Sequence, residues 1–310
     1  MAEFIPLTAV EAQPTLPATH TPTPTRPTPK RPAWLKAPAP TGENYKDVRS
    51  LMRDLDLHTV CEEARCPNIG DCWNHRTATF LLLGDVCTRG CRYCAIGKGK
   101  PAAIDEHEPE RVAHAVAHLK LKHAVLTSVN RDDQPDGGAH IFVRCIELIH
   151  AYNPDCKVEV LIPDFDGNWA ALQMVLEARP DVLNHNIETV PRLFRRFRPR
   201  AGFEQSLELL ARARAFDANM VTKSGLMVGA GETNAEVLEV MDALRRSDVN
   251  VMTIGQYLAP TDSHWPIDRY VTPAEFEMFK REGLQRGFRH VESGALVRSS
   301  YHAHEHVANM

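Results

Sequence analysis

The sequence lacks the features that mark several common classes of protein. No stretch approaches the roughly 18 consecutive apolar residues that a membrane-spanning helix needs, and the opening MAEFIPLTAVEAQ has no basic segment followed by an apolar one. A basic excess is also missing, because the 310 residues carry a formal net charge of −4, whereas general nucleic-acid binders are usually basic. We therefore expect a soluble, cytoplasmic, monomeric protein that binds neither nucleic acid nor membrane.

Cysteine is scarce outside one short stretch. Six of the eight cysteines lie between residues 61 and 94, whereas a disulfide framework distributes its cysteines through a short secreted chain. Clustered thiols in a cytosolic chain of this size indicate metal binding. The remaining two, Cys145 and Cys156, are expected to be small buried residues without metal.

The distribution of proline divides the chain. Ten of the 22 prolines fall within residues 1–40, where they disfavour both helix and strand, and we predict a disordered tail over residues 1–42. An N-terminal extension over residues 43–76 follows and carries the first cysteines. Its apolar residues recur at helical spacing and predict a helix that leads into these cysteines; they are Val48, Leu51, Met52 and Leu55.

Apolar, β-rich runs alternate with helical stretches from residue 77 onward. The runs are 77–83, 123–129, 157–162, 181–187, 220–228 and 249–258. This alternation predicts an α/β fold, a partial (β/α)6 TIM-like barrel over residues 77–285, with the N-terminal extension and a C-terminal extension over 286–310 covering its mouth. A flat doubly wound sheet is the alternative. In either fold the ligand site lies at the carboxyl ends of the strands.

The motif CTRGCRYC, residues 87–94, places Cys87, Cys91 and Cys94 on one loop after the first predicted strand. Three thiolates leave one iron of a four-iron cluster free for a ligand that does not come from the protein. Zinc would favour CxxC pairs or nearby histidines, and a ferredoxin run has two-residue gaps and a following proline. The spacing therefore favours an open 4Fe-4S cluster.

A second motif, CEEARCPNIGDC at residues 61–72, supplies Cys61, Cys66 and Cys72. Its gaps of four and five residues form a specific pattern, and it too is one ligand short of a complete set for a cubane.

These motifs carry a resemblance to a known family. CxxxCxYC after the first strand of a βα-repeat chain resembles the radical S-adenosylmethionine (SAM) superfamily, and the second cysteine motif is similar to that of the lipoyl synthase family within it. The similarity covers most of residues 45–302 and leaves out the proline-rich start. Other similar segments are SVNRDDQPDGGA (128–139), VEVLIPDF (158–165), NHNIETVPRLFRRFRPRAGFEQSLELL (184–210), TKSGLMVGAGET (222–233), IGQYLAPTDSHWPIDRYVTPAEF (254–276) and RSSYHA (298–303).

The resemblance implies two 4Fe-4S clusters and SAM, two molecules of which would be used per turnover as co-substrate. Cys87, Cys91 and Cys94 would bind the radical SAM cluster. An auxiliary cluster would be bound by Cys61, Cys66, Cys72 and Ser300, with Ser299 as the alternative to Ser300. The residues expected to contact SAM are Tyr93, Glu188, Arg198, Lys223, Gly231 and Glu232, with Arg200 as an alternative to Arg198. Asn130, Arg131 and Asp132 are expected to shape the substrate end of the mouth.

The activity implied by the resemblance is radical sulfur insertion at C6 and C8 of a protein-bound N6-octanoyl-lysine, with the auxiliary cluster as sulfur donor. No catalytic residue is expected beyond the cofactor ligands. The implied partners are octanoylated lipoyl carrier domains such as E2 subunits and the glycine cleavage H protein, an electron donor such as ferredoxin or flavodoxin, and a cluster-assembly protein.

Two other functions compete with this one. A methylthiotransferase-like radical SAM enzyme would need a basic patch or an appended domain, and a non-enzymatic iron–sulfur electron carrier would need complete cysteine sets and a shorter chain. Two charged segments also have two interpretations each. RLFRRFRPR, residues 192–200, is either a solvated helix face or partly a contact for an acidic carrier, and the terminal HAHEH, residues 302–306, is expected to be solvated rather than metal-bound.

Overall fold

A computed structural model describes residues 29–37 and 39–306. Most of the tail predicted over residues 1–42 therefore lies outside the described residues. Its end, however, packs against the rest of the chain, because Leu35 is only 2% exposed and Arg31 lines a cavity at the carboxyl ends of the strands.

One large sheet organises the described chain. The strands are β1 (His58–Thr59), β2 (Thr79–Leu82), β3 (Val86–Cys87), β4 (Gly97–Lys98), β5 (His123–Ser128), β6 (Lys157–Leu161), β7 (Val182–Asn184), β8 (Val221–Val228), β9 (Val251–Gln256) and β10 (His290–Gly294). The large sheet has the order β1-β2-β5-β6-β7-β8-β9-β10, and β3 and β4 form a separate two-stranded ladder. Except for the antiparallel pair β1–β2, all neighbouring strands in the large sheet are parallel.

The strand order confirms the predicted fold class. All six predicted strands are present, and each pairs with its successor, so the order never reverses as it does in a doubly wound sheet. Within the described residues β1 and β10 remain the two edges, and hydrogen bonds do not close the barrel. The sheet also contains a parallel strand that we had not predicted, β10, which pairs with β9 inside the stretch assigned to the C-terminal extension.

Helices connect the parallel strands and cover the sheet. They are α1 (Glu43–Asp54), α2 (Val60–Glu63), α3 (Ile69–Asn74), α4 (Glu108–Leu119), α5 (Ala139–Tyr152), α6 (Trp169–Glu177), α7 (Pro191–Phe197), α8 (Phe203–Phe216), α9 (Asn234–Arg246), α10 (Pro273–Gln285) and α11 (Ala303–His306). The sequence marks the starts of α9 and α10 clearly, because Thr233 with Glu236 and Thr272 with Glu275 form capping boxes. No helix in the described part of the chain is both long and apolar enough to cross a membrane.

The N-terminal extension packs through a few large side chains. Val48 and Met52 on α1 are buried, as the helical spacing predicted. Trp73 on α3 is fully buried, and its ring lies 5.1 Å from that of Tyr45, measured between centroids. This packing fixes α1 against α3 and so positions the segment that carries the first three cysteines.

Candidate functional site

A cavity of about 740 Å³ opens at the carboxyl ends of the strands. Both cysteine motifs reach it, because five of the six clustered thiols line its wall: Cys61, Cys66, Cys87, Cys91 and Cys94. All eight cysteines are free. The cavity therefore brings together two groups of thiols that are separate in the sequence.

The 87–94 loop is held by hydrogen bonds to the loop that follows β5. The backbone N–H of Thr88 donates to the carbonyl of Asn130 at 3.1 Å. The backbone N–H groups of Asn130 and Arg89 donate to Sγ of Cys87 at 3.3 and 3.4 Å. Hydrogen bonds to sulfur are one of the means by which proteins tune the potential of an iron–sulfur cluster.

A buried ion cluster lies beneath this loop, and the sequence analysis did not identify it. The guanidinium of Arg89 has a side-chain exposure of 2% and lies 2.8 Å from Asp132 and 2.7 Å from Asp164. Two hydrogen-bonded carboxylates compensate the cost of burying its charge, so Arg89 anchors the cysteine loop to the ends of two strands. The Arg between Cys87 and Cys91 was the only sequence signal for this anchor.

The electrostatics of the loop thiols suit a bound metal. Burial raises the pKa of Cys91, although the nearby Arg198 partly opposes the shift. Burial likewise raises the pKa of Cys94 to about 12. Without metal these thiols stay protonated at neutral pH, and only an ion with high affinity for thiolate replaces the proton. Three soft thiolates at one cavity are a donor set for iron and sulfide.

The second group of thiols is equally compact. Burial and the neighbouring Cys66 raise the pKa of Cys61 to about 12. The pKa of Cys72 is raised by burial and then by Cys61 and Cys66. Because Cys66 acts on Cys61, and both act on Cys72, the three thiols lie near one another, although Cys72 does not itself line the cavity.

The C-terminal segment is hydrogen-bonded to this N-terminal group. The side-chain amide of Asn68 donates to the carbonyl of Leu296 at 2.7 Å, and the hydroxyl of Tyr301 donates to Asp71 at 3.0 Å. These contacts join residues 228 and 230 positions apart. They bring Ser299 and Ser300 to the same cavity as the thiols. Neither Asn68 nor Asp71 was singled out from the sequence.

Two glycines inside the barrel make room for that segment. A Cβ on Gly255 of β9 would overlap the carbonyl oxygen of Val297, and one on Gly225 of β8 would lie 2.9 Å from Oγ of Ser299. Ser299 instead donates to Oδ1 of Asn186 at 2.9 Å. In the described structure no hydrogen bond involves the Ser300 hydroxyl, so its oxygen is available to bind another group.

Three of the predicted SAM contacts line the cavity: Tyr93, Glu188 and Arg198. The ring of Tyr93 stacks on Phe197 with centroids 4.6 Å apart. Arg198 donates from Nη1 to the carbonyl of Asn186 at 2.9 Å, whereas its buried Nε has no partner within the described residues. Buried donors are normally satisfied, so this N–H is suited to a bound ligand.

Glu188 has a strained backbone at this site. Its φ of 67° lies in the left-handed region, which costs a residue with a Cβ about 1 kcal/mol or more. Backbone hydrogen bonds to Gly225 at 2.9 Å and from Met227 at 3.0 Å hold the residue there. Burial raises the pKa of its carboxyl against the opposing charge of Arg198.

The other three predicted SAM contacts do not line the cavity. Lys223 is fully buried, and its ammonium lies 2.9 Å from Glu159. It sits near the start of β8, four residues before Met227 of the cavity wall, or about 13 Å away at the usual rise of a strand. Glu232 is turned back on its own loop, where it accepts hydrogen bonds from the backbone of Gly229 and Ala230 at 2.6 and 2.9 Å. Gly231 also lies outside the wall.

The residues expected to shape the substrate end have separate roles. Asn130 lines the cavity, whereas Arg131 is buried in a pair with Asp133 at 2.9 Å and Asp132 pairs with Arg89. Arg200 is 55% exposed and lies 3.6 Å from Asp132 rather than at the cavity wall.

Comparisons with known proteins match two regions of the chain, one at the N-terminal side and one over the parallel sheet. The sequence model for the radical SAM superfamily matches residues 81–244, and the model for the N-terminal domain of lipoyl synthase of the radical SAM family matches residues 19–66. The second match reaches into the proline-rich start, so our expectation that the resemblance leaves this region out was wrong.

Curated relatives match nearly the whole chain. A lipoyl synthase of Chloroflexus aggregans is 74% identical over 99% of this chain and 98% of its own. A lipoyl synthase of Roseiflexus sp. is 73% identical with the same coverage. Among solved structures, Streptococcus suis SuiB bound to S-adenosylmethionine superposes with a TM-score of 0.55 at 8% identity, over 82% of this chain and 56% of that chain. The last match supports the fold alone.

Proposed function

The chain belongs to the lipoyl synthase family of radical SAM enzymes, and we propose that its cavity holds both of the iron–sulfur clusters on which this activity depends. Enzymes of this family insert sulfur at C6 and C8 of an octanoyl group carried on a protein lysine, with the auxiliary cluster as sulfur donor. The observation that carries the proposal is that thiols of both cysteine motifs line one cavity.

In our proposal, Cys87, Cys91 and Cys94 hold the radical SAM cluster and leave one iron for SAM. Their loop is anchored by Arg89 and receives two backbone hydrogen bonds at Cys87. This support keeps the three sulfurs in place before any cofactor arrives, which limits the ordering that binding requires.

The SAM site that we propose is formed by Tyr93, Glu188 and Arg198. The unpartnered Nε of Arg198 would donate to the carboxylate of SAM, and the carboxyl of Glu188 would accept from a ribose hydroxyl. Tyr93, stacked on Phe197, offers an aromatic surface for adenine. Lys223, Gly231 and Glu232 are left out of this set, because they lie outside the cavity wall.

The auxiliary cluster would be held by Cys61, Cys66, Cys72 and Ser300. A serine oxygen is a weaker partner for iron than a thiolate, which suits a cluster that must release sulfur. Ser300 is preferred over Ser299 because the Ser299 hydroxyl is already bonded to Asn186 at 2.9 Å. Arg298 is close enough to Cys66 that each affects the ionisation of the other, so its charge would offset that of a cluster.

The protein's own part in the reaction is to position the groups and to exclude water. When bound, the first cluster and SAM supply a radical that removes hydrogen atoms from unactivated carbons, and the second cluster supplies sulfur. Apolar residues at or just after the strand ends, such as Leu81, Val129 and Ile162, also line the cavity. They provide a dry path for an acyl chain, which protects a radical from side reactions.

The substrate protein and the accessory partners remain inferences from the family. We propose octanoylated lipoyl carrier domains as substrates, a low-potential electron donor such as ferredoxin or flavodoxin, and a protein that rebuilds the auxiliary cluster. The exposed side chains of Arg195, Arg196 and Arg200 near Arg198 would attract an acidic carrier. Because six thiols must stay reduced to bind clusters, we also propose a cytoplasmic site of action.

Anaerobic reconstitution with iron and sulfide tests the proposal. Two cubanes require about eight irons per chain, and incubation with SAM, reductant and an octanoyl-lysine peptide should yield 5′-deoxyadenosine and a peptide mass gain from two sulfurs. Cys91→Ala should lose about four irons and all SAM cleavage. Cys66→Ala should keep cleavage but lose sulfur insertion, and Cys145→Ala, at a buried cysteine away from the cavity, should behave like the parent.

The results that oppose the proposal are equally specific. Deoxyadenosine without sulfur on the peptide in the parent enzyme would favour another radical SAM reaction, such as methylthiotransfer. The absence of any SAM cleavage at full iron content would favour an electron carrier. Sulfur insertion that survives in Cys66→Ala would exclude the 61–72 thiols as the donor site.

A further inference from the structure

The terminal motif HAHEH does not end in solvent as the sequence led us to expect. Its last residue, His306, is 2% exposed and lies on α11, which packs against β10 and β5. His304, two residues earlier, keeps a side-chain exposure of 58%. One histidine of the motif is therefore drawn into the molecule while its neighbour stays outside.

The buried imidazole of His306 has no partner in the described structure. Both Nδ1 and Nε2 are buried without a hydrogen bond, and so is Nε2 of His290. Buried polar atoms are nearly always satisfied, and leaving one unsatisfied costs about 1–3 kcal/mol. The two unpaired nitrogens of His306 lie beside a His290 ring whose Nε2 is 3.3 Å from the Glu292 carboxylate, and this arrangement indicates that a ligand belongs there.

A carboxylate completes the group. His290 and Glu292 lie two residues apart on β10, so their side chains leave the same face of the strand. One ligand atom from each of His290, Glu292 and His306 lies within 4.8 Å of the others. The two imidazole rings lie 5.1 Å apart between centroids, and Nε2 of His290 is 3.3 Å from Oε2 of Glu292.

We propose that His290, Glu292 and His306 form a binding site for a divalent metal ion, with zinc as the ion that fits best. Two imidazole nitrogens and one carboxylate oxygen are a common zinc set, with water in the fourth position. Tetrahedral ligand atoms at the usual zinc distances lie about 3.4 Å apart. Metal binding therefore draws the three side chains together by no more than about 1.5 Å.

The charges around the group permit a cation. The nearest buried ammonium, that of Lys223, is paired with Glu159 at 2.9 Å, and the Glu292 carboxylate contributes a negative charge at the site itself. Lys280 lies 3.9 Å from Glu292 and is partly exposed, so it can turn to solvent.

The site has a structural consequence for the cavity. It would tie the end of the described chain to edge strand β10, and the segment between them, 295–302, carries Ser299 and Ser300 to the thiols. The metal would thus restrain that segment from its far end, while the contacts to Asn68 and Asp71 restrain it along its length. This inference stands apart from the proposed function, since it needs neither cluster nor SAM.

Zinc binding to the cluster-loaded enzyme tests the site. The enzyme is incubated anaerobically with zinc, passed through a desalting column, and analysed for zinc, iron and sulfide per chain and by zinc X-ray absorption. We expect one zinc with only nitrogen and oxygen ligands at about 2.0–2.1 Å, whereas zinc on cysteine would show sulfur at about 2.3 Å. Zinc should also slow hydrogen exchange in residues 295–306.

Variants assign the ligands. His306→Gln and Glu292→Gln should each weaken zinc binding at least tenfold, since loss of even an outer-shell partner costs about 10–100-fold. His304→Gln, in the same motif but exposed, should bind like the parent. His306→Cys should restore binding and add one sulfur at about 2.3 Å to the zinc spectrum. Unchanged iron and sulfide content shows that each variant is folded.

Two results would overturn the site. One is the absence of zinc at full iron content, or zinc held only by sulfur in the parent enzyme. The other is a zinc affinity of Glu292→Gln equal to that of the parent enzyme. This variant changes only a partly exposed side chain. The first excludes the metal, and the second excludes these ligands. Neither affects SAM cleavage or sulfur insertion, so failure here is distinct from failure of the proposed function.

Discussion

The hydroxyl of Tyr301 donates a hydrogen bond to Oδ2 of Asp71 at 3.0 Å, across 230 positions of sequence. Asp71 is the residue next to Cys72, and Tyr301 is the residue next to Ser300. This single contact therefore ties the segment that carries the proposed serine ligand to the segment that carries the proposed thiol ligands.

Removing this hydrogen bond should loosen the C-terminal segment. Burial and then Asp71 raise the pKa of Tyr301 to about 12, so the phenol stays a donor over the working pH range. Tyr301→Phe should cost about 1–2 kcal/mol locally and speed hydrogen exchange in residues 296–303, with slower sulfur insertion but unchanged SAM cleavage. Tyr152→Phe, at an exposed tyrosine on α5, is the control. Equal exchange rates in the two variants would show that the contact does not hold the segment.

Gly255 should not tolerate a side chain. A Cβ there would overlap the carbonyl of Val297, and overpacking of this kind costs about 1–3 kcal/mol. Gly255→Ala should displace residues 297–300, lower the iron content after reconstitution and abolish sulfur insertion. Gly99→Ala is the matched control, because its Cβ would lie no closer than 3.6 Å to Val86. Full iron content in Gly255→Ala would mean that the segment is not needed to hold a cluster.

Arg198 should control SAM affinity through geometry as well as charge. Its planar guanidinium donates to the carbonyl of Asn186 through Nη1 and keeps Nε available for a second acceptor. The ammonium of lysine cannot reproduce this fixed pair of donors. A hydrogen bond to a charged group contributes about 1.5–3 kcal/mol, so Arg198→Lys should weaken SAM binding roughly 10- to 100-fold in equilibrium dialysis of the cluster-loaded enzyme. Arg200→Lys should have little effect. Equal losses in both variants would argue against a direct contact.

Lys223 should matter for folding rather than for SAM. Lys223→Met would remove the one lysine paired with the buried Glu159 carboxylate and leave it with Asn184 at 2.9 Å and His123 at 3.2 Å. Removing one member of a buried ion pair costs about 3–5 kcal/mol. Urea denaturation should show this loss, and adding Glu159→Gln should recover part of it. If Lys223→Met is as stable as the parent but binds SAM more weakly, Lys223 contacts SAM after all.

His185 should make stability depend on pH. Burial lowers its folded-state pKa to about 4 from an ordinary value of 6.5, so on acidification the unfolded chain takes up a proton first. Stability is therefore lost as pH falls from about 6.5 to about 4, by at most about 3 kcal/mol from this group. Urea denaturation of the metal-free chain at pH 7.5 and 5.0 measures the loss. It should shrink in His185→Gln and persist in His118→Gln, a change at an exposed histidine of α4; equal losses in the two variants would contradict the assignment.

The sequence by itself determined the features that depend on local order along the chain. The spacing of the six clustered cysteines indicated two incomplete iron–sulfur sites, and the alternation of apolar runs predicted six of the parallel strands in the sheet. Both follow from short-range rules, because a loop places its own thiols together and a strand or helix repeats its own period.

Only the tertiary structure decided which distant residues meet. Strand register placed Lys223 near the base of β8 and Met227 at the cavity, although both lie in one apolar run. Long-range packing set Arg89 between two aspartates, Val297 against Gly255, and His306 beside β10. Sequence spacing cannot supply such pairs, because they depend on how strands align and on where a terminal segment finds room, and many residues of the same type remain at the surface.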